Sequence, residues 1–246
     1  MINGRRIVVV FPAYNAERTL HQTYEEVRAQ GVVDHMILVD DGSRDATVAS
    51  ARGLPGLEVI EHPQNRGYGA NQKTCYRAAL AAGADIVVMI HPDYQYTPKL
   101  LTALTSLIAF DVYPCALGSR ILGGYAQRGG MPWWRYVANR GLTLFQNLVL
   151  GAKLSEYHTG YRAFSRELLA RAPLDRFDDD FIFDNQMLVW VLGQGYGVGE
   201  VTCPTRYFPE ASSISFARSV RYGLGCVRVA LVHRLWPSAL TRQRTP

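Results

Sequence analysis

Two apolar runs in this chain stop abruptly at clusters of polar residues. Val87-Val88-Met89-Ile90 meets His91-Pro92-Asp93-Tyr94-Gln95-Tyr96, and Met36-Ile37-Leu38-Val39 meets Asp40-Asp41-Gly42-Ser43. Short apolar runs of this kind read as buried strands. Carboxylates just past the ends of such strands lie where open α/β sheets dock ligands. Asp93 is suited to a divalent cation that bridges a diphosphate, with Gln95 as a neutral oxygen ligand. His91 suits a softer ion such as Mn2+, or a hydrogen bond to a ribose or phosphate. The Asp40-Asp41 pair can accept hydrogen bonds from a base N–H or from ribose hydroxyls. Ser43 or Asp45 could equally cap a following helix. Two acidic strand ends in one sheet suggest a ligand that carries both phosphates and hydroxyls.

A third strand end precedes both. Arg6-Ile7-Val8-Val9-Val10-Phe11 leads into Pro12-Ala13-Tyr14-Asn15. The Tyr14 ring could stack on a base, with Asn15 as an ordinary helix cap as the alternative. Asn65-Arg66-Gly67-Tyr68-Gly69-Ala70-Asn71 is glycine-rich before a helix but does not complete a dinucleotide fingerprint, since position 72 is Gln. Its glycines are expected to permit a tight turn.

The elements that must hold these residues alternate. Strands are expected at Ile7–Phe11, Met36–Val39, Leu57–Ile60, Ile86–Ile90 and Cys115–Gly118. Helices are expected over Ala16–Ala29, Ala46–Ala51, Ala70–Ala82 and Pro98–Ile108. That order implies βαβ units and a mostly parallel central sheet with helices on both faces. The second half reads as a mobile glycine-rich loop at 123–130 and a helix over Trp133–Leu150. A strand at Gly160–Phe164, a helix over Asn185–Leu192, a late strand over Gly197–Phe208 and a basic helix over Ser213–Trp236 follow. The tail from Ser238 is expected to be disordered.

The 246 residues, 48% of them hydrophobic, are enough for one sizeable core. The formal net charge of +5 fits anionic partners such as nucleotides, lipid phosphates or a membrane surface. The four cysteines lack metal-ligand spacing, which argues against a zinc site and for a reduced, cytoplasmic setting. No apolar run reaches the roughly 20 residues needed to span a bilayer, and strand-like sequence begins too early for a signal peptide.

Taken in order, PAYN, VDDGS, the NRGYG–helix element, HPDYQY, Gly118-Ser119-Arg120 and Thr159-Gly160-Tyr161-Arg162-Ala163-Phe164 resemble glycosyltransferase family 2. Within it, the chain is most similar to the dolichyl- and polyprenyl-phosphate sugar transferase branch, over roughly residues 5–210. The resemblance implies a GT-A fold of the α/β class over 1–210, with a basic amphipathic helix and tail over 211–246. It implies an inverting hexosyltransferase that uses a UDP- or GDP-linked sugar and a divalent cation, Mn2+ or Mg2+. A polyprenyl phosphate would be the leading acceptor. Pro12, Tyr14, Val39 and Asp41 match positions that hold base and ribose. Asp93 and Gln95 match the metal-binding acid and amide, with His91 beside them on donor and metal. Arg120 and Arg206 match arginines at the donor diphosphate, and Asp93 and Arg206 carry the leaving-group chemistry.

Three departures stand out. His91 replaces the first acid of the Asp-x-Asp motif. Ala16 follows the Tyr-Asn pair where an acid is usual, with Glu17 one place later as the donor-side substitute. Pro209-Glu210-Ala211-Ser212-Ser213 stands where mannose synthases carry a lysine. A lipid phosphate is already ionised and needs no general base. A glycan or small-molecule hydroxyl would need one, with Asp184 the first candidate, then Asp180 and Glu156. A non-catalytic nucleotide-sugar-binding homologue is the remaining alternative. Trp133, Trp134, Tyr136 and Phe145, with Arg218, Arg221 and Arg228, are candidates for peripheral contact with a polyprenyl chain or the inner face of a membrane. Nucleic acid is not an expected partner.

Overall fold

The computed structural model describes residues 1–205 and 216–236. Seven strands form one sheet: β1 (Ile7–Ala13), β2 (His35–Asp40), β3 (Leu57–Glu61), β4 (Ile86–Met89), β5 (Cys115–Ser119), β6 (Arg162–Ser165) and β7 (Val198–Thr202), in the order β3-β2-β1-β4-β6-β5-β7. β1 pairs in parallel with β2 and β4, β2 with β3, and β5 with β7. β6 runs antiparallel between β4 and β5. The sheet is therefore mixed but mostly parallel, as expected for an α/β fold.

Along β1 the side chains alternate between two cores. Val8 and Val10 join one buried cluster, while Ile7, Val9 and Phe11 join the other. This is the period-two geometry of a strand covered on both faces. The first cluster is closed by α3 (Tyr68–Ala81), α6 (Arg166–Arg171) and α7 (Phe183–Gly193). The second is closed by α1 (Glu17–Arg28), α2 (Thr47–Arg52) and α4 (Leu101–Ala109). In α1, Leu20, Tyr24 and Val27 repeat at helical spacing and are wholly buried, which fixes the face it presents. A single 3-10 turn, Pro98–Leu100, precedes α4.

Two longer helices, α5 (Trp133–Leu150) and α8 (Phe216–Leu235), pack against each other and against α7. Each leaves an apolar stripe in solvent. On α5 it is Trp133, Val137, Leu144 and Leu148; on α8 it is Val220, Leu224, Leu231 and Leu235. The two stripes have identical intervals, a repeat that keeps one side of a helix apolar. Arg140, Arg221 and Arg228 are also exposed on these helices. Among the described residues, no helix is long and apolar enough to cross a membrane.

Several boundaries differ from the sequence reading. β1 runs on through Pro12 to Ala13, because Pro12 and Ala13 still find register partners in Val39 and Asp40. β7 ends at Thr202, and among the described residues an isolated bridge between Tyr96 and Thr205 lies beyond it; the expected late strand's residues 206–208 lie outside the described residues. The segment 123–130, expected to be a mobile loop, is largely exposed but anchored at two points. Gly129 lies so close to Thr205 that a Cβ would sit 2.0 Å from its carbonyl oxygen, and Ala126 is buried with Ile121 and Met131. The short helix α6 had no counterpart in the sequence reading. The expected boundary at 210/211, residue Arg206, residues 209–213 and the tail from Ser238 lie outside the described residues.

Candidate active site

The strand order reverses at β1, whose neighbours β2 and β4 lead away in opposite directions. Open α/β sheets bind ligands at the carboxyl ends of strands at such a switch point. The three polar segments named from the sequence all sit there: Tyr14 after β1, Asp40-Asp41 ending β2, and His91–Gln95 after β4.

An open recess of about 520 Å³ lies on the β2 side of this edge. Tyr14, Asp40, Gly42, Ser43, Arg44, Val48, Glu61, His62, Pro63, Gln64 and Asn65 line it. Its size is that of a small-molecule site. Tyr14 is about half exposed, at 48%, so its ring is available as a stacking surface. Asp40 accepts hydrogen bonds from the Ser43 amide at 2.8 Å and from the Ser43 hydroxyl. Asn15, at φ +51°, does not cap α1. Its amide N–H donates to Ser43 Oγ and its side-chain oxygen accepts from the Arg44 amide, which stitches the β1 and β2 loops together. Glu17 is exposed and does the same, accepting from the Ala46 amide while its own amide donates to Asp45. Asp45 bonds the Thr47 amide and hydroxyl. Burial would raise its pKa, but these bonds outweigh that and hold it below the ordinary value.

Asp41, matched to a base- and ribose-holding position, has its carboxylate bonded within the protein. It is buried, does not line the recess, and its carboxylate is engaged three times. Oδ1 bonds His62 Nδ1 at 2.7 Å and accepts from the Arg66 amide at 2.9 Å; Oδ2 accepts from the Gly67 amide at 2.9 Å. In this structure it anchors the 62–67 loop, part of which forms the recess wall. Pro12 and Val39 are buried register partners in β1 and β2 and do not line the recess. Asn71, the last residue of the glycine-rich motif, ties the two strand ends together by donating to the Ala13 and Val39 carbonyls.

The glycines of Arg66-Gly67-Tyr68-Gly69 serve close approach as well as turning. Gly67 has φ +103°, and a Cβ there would lie 2.5 Å from the Asp179 carbonyl oxygen; at Gly69 it would lie 2.4 Å from that of Asp178. The amides of Gly69 and Ala70 both donate to Asp179 O. The start of α3 is therefore capped by the 178–179 backbone.

On the β4 side, α1 holds the segment that carries Asp93. Thr23 Oγ1 donates to Pro92 O at 3.3 Å, and the Tyr94 hydroxyl donates to Glu26. Asp93 Oδ1 accepts from the Gln95 amide at 3.0 Å. Tyr94 has φ +57°, a costly conformation for a bulky residue and one that clusters at functional sites. His91 is partly buried. It stacks on Tyr68 with ring centroids 5.3 Å apart, and its Nε2 lies 2.9 Å from the Tyr68 hydroxyl oxygen. That hydroxyl donates to Asp184 Oδ2 at 2.6 Å. Burial, followed by the nearby Asp184 charge, raises the Tyr68 pKa well above its ordinary value. Asp184 Oδ1 makes no hydrogen bond and sits 3.8 Å from Nε of the wholly buried Arg162. Arg162 donates to the Thr159, Asp184 and Tyr157 carbonyls. Tyr68 and Arg162 are site-forming residues to which the sequence reading assigned no role. The available signal was a tyrosine and an arginine inside motifs otherwise read for glycine and strand.

Arg120 and Glu156, expected in separate roles, are partners. Glu156 is fully buried and accepts from the Arg120 amide, Nε and Nη2 and from Asn139 Nδ2. Burial would raise its pKa, but Arg120 outweighs this and the carboxyl stays below its usual range. A carboxylate so held is a poor proton acceptor, and the paired guanidinium also donates to His158 O. Asp180 is exposed, and its Oδ1 accepts from the Phe181 amide.

A cation at His91 and Asp93 is compatible with the donor types present. Among the described residues, no three His, Cys, Asp or Glu side chains are grouped to hold a metal unaided. Cations that share few protein ligands with substrate phosphates bind in this way.

Comparison with known proteins agrees with this architecture. The family model "Glycosyl transferase family 2" matches residues 8–172. Polyprenol monophosphomannose synthase of Mycolicibacterium smegmatis is 28% identical over 80% of this chain and 76% of its own length. UDP-N-acetylglucosamine–dolichyl-phosphate N-acetylglucosaminyltransferase of Methanococcus voltae is 26% identical over 89% of this chain and 91% of its own. Glucosyl-3-phosphoglycerate synthase from Mycobacterium tuberculosis, solved with Mn2+, UDP and phosphoglyceric acid, superposes with a TM-score of 0.69 at 23% identity. It covers 95% of this chain and 79% of that one, and it supports the GT-A fold. With two thirds of its length matched by the family model and its motifs in order along the switch-point edge, the chain belongs to glycosyltransferase family 2, in the dolichyl- and polyprenyl-phosphate sugar transferase-like branch.

Proposed function

We propose that the protein is an inverting hexosyltransferase that moves a sugar from a UDP- or GDP-linked donor to a polyprenyl phosphate. The observation that carries this is the convergence of Tyr14, Asp40 and His91–Asp93 on the carboxyl ends of three adjoining parallel strands. In this reading the recess beside Tyr14 receives base and ribose, and the β4 edge receives the diphosphate. His91, Asp93 and Gln95 would hold a divalent cation, which when bound offsets the negative charge of the leaving diphosphate. Arg206 adds a forked cationic contact there. Arg120, paired with Glu156, would stand near the donor phosphates.

An oxygen of the acceptor phosphate attacks the anomeric carbon from the face opposite the departing diphosphate. The new C–O bond forms as the old one breaks, and the electron pair leaves on the nucleoside diphosphate. The nucleophile is ionised beforehand, so no side chain needs to take a proton. The named relatives of M. smegmatis and M. voltae, a polyprenol-phosphate and a dolichyl-phosphate transferase, support this acceptor class. The apolar stripes of α5 and α8, with Arg140, Arg221 and Arg228 nearby, support peripheral contact with an anionic lipid surface.

A hydroxyl acceptor is the second reading, favoured by one observation. Asp184 is buried with one oxygen lacking a hydrogen bond, whereas Glu156 is locked by Arg120. The test is a thermal-shift panel of UDP-, GDP- and dTDP-sugars with Mn2+ or Mg2+, followed by transfer to undecaprenyl phosphate. One nucleotide should raise the melting temperature by mass action, and lose that effect in Asp93→Ala. Asp184→Asn should keep measurable transfer to the lipid phosphate at saturating cation, because no side chain there has to take a proton. A flat panel sinks the donor reading; binding without transfer to the lipid sinks the acceptor reading.

A further inference from the structure

His91 stands where an acid would be usual, and the structure gives it a specific partner. Tyr68 has one hydroxyl proton, and it points at Asp184 Oδ2, 2.6 Å away. Towards His91 Nε2, 2.9 Å away, the Tyr68 oxygen can therefore only accept. The imidazole must carry a hydrogen on Nε2. Gly160 closes the same side of the ring, since a Cβ there would lie 2.7 Å from Cδ2 and 2.9 Å from Nε2 of His91. The opposite, Nδ1 edge is turned away from both contacts.

We propose that Tyr68 is a positioning residue: held by Asp184, it fixes the His91 ring in the Nε2–H tautomer and presents Nδ1 as a nitrogen ligand at the β4 edge. The inference rests on the reading of His91 and Asp93 as the cation-binding edge of the donor site. It adds a consequence. A nitrogen donor in place of a carboxylate suits Mn2+ better than Mg2+, which strongly prefers oxygen. A carboxylate that orients a histidine ligand from behind usually bonds the ring directly; here the tyrosine hydroxyl relays it.

The tautomer can be read on the unliganded wild-type protein by long-range proton–nitrogen correlation of the imidazoles, with His91 assigned by its loss in His91→Gln. The Nε2–H form is expected; a dominant Nδ1–H form overturns the proposal, whether or not any variant folds. Mn2+ binding, followed by the free-ion electron paramagnetic resonance signal with and without UDP, supplies the second readout. Tyr68→Phe should weaken Mn2+ roughly 10- to 100-fold, the usual range for losing a group that orients a metal ligand. His91→Asp should shift preference from Mn2+ towards Mg2+, and in that background Tyr68→Phe should leave Mn2+ affinity within about threefold, because a carboxylate has no tautomer to set. An equal loss in both backgrounds, no loss in either, or no Mn2+ binding by the wild type overturns the proposal. A protein that binds no nucleotide sugar fails the functional reading instead, and the tautomer measurement is unaffected by that result.

Discussion

Replacing Asp41 by asparagine separates an anchoring carboxylate from one that touches the donor. The side chain keeps its shape but loses its charge and gains an NH2 group. Asp41 now bonds His62 and accepts from the Arg66 and Gly67 amides. Hydrogen bonds to a charged group contribute about 1.5–3 kcal/mol each, and a buried donor left unmatched costs about as much. An asparagine can still satisfy one side with its oxygen, while its NH2 faces a donor on the other. The expected cost is therefore about 2–4 kcal/mol. For a chain of this size that corresponds to a fall in Tm of roughly 5–15 °C. Differential scanning calorimetry with urea unfolding measures it directly. The recess wall would loosen too, so nucleotide affinity should fall together with stability. A variant that melts within about 2 °C of the parent yet no longer binds nucleotide would refute the reasoning and return Asp41 to direct ligand contact.

Tyr14→Ala should have the opposite signature. Stacking of a base on an aromatic ring contributes about 1–3 kcal/mol, so the Kd for the preferred nucleotide, measured calorimetrically, should rise roughly 5- to 150-fold with little change in Tm. Glu156→Gln breaks a buried pair with Arg120 and should cost about 3–5 kcal/mol in urea unfolding. His158 adds a pH dependence. Burial, reinforced by Arg120 and Arg162 and opposed by Glu156, lowers its pKa from 6.5 to about 4. Between those values the unfolded chain binds the extra proton, so stability should fall as pH drops from 6.5 towards 4, by at most about 3 kcal/mol. His158→Gln should flatten that slope in unfolding curves taken across the range. The double variant Leu144→Glu, Leu224→Glu should lose cosedimentation with vesicles containing anionic phosphatidylglycerol while its Tm stays near the parent's, since both side chains are more than 60% exposed. Equal binding by parent and variant would remove the α5–α8 face from the membrane reading.

Much of this protein could be read from the chain alone. Apolar runs ending in Tyr14, Asp40-Asp41 and Asp93, separated by amphipathic helices, specify a mostly parallel sheet and the edge where its ligand should dock, because strand period and helix period are local properties. The six motifs in order identified the family for the same reason: each is a contiguous segment. What adjacent residues do once folded was not legible. Asp40 lines the recess while bonded to Ser43, and Asp41 grips the 66–67 backbone, partners set by where the loops after β2 and β3 pack. Arg120 meets Glu156, and Tyr68 joins His91 to Asp184, across 36 and 116 positions of sequence. These pairings depend on an antiparallel β6 between β4 and β5 and on α7 lying across α3, and no local pattern encodes such juxtapositions. Sequence determined which chemistry reaches the sheet edge; tertiary packing decided which groups hold the scaffold and which remain for a ligand.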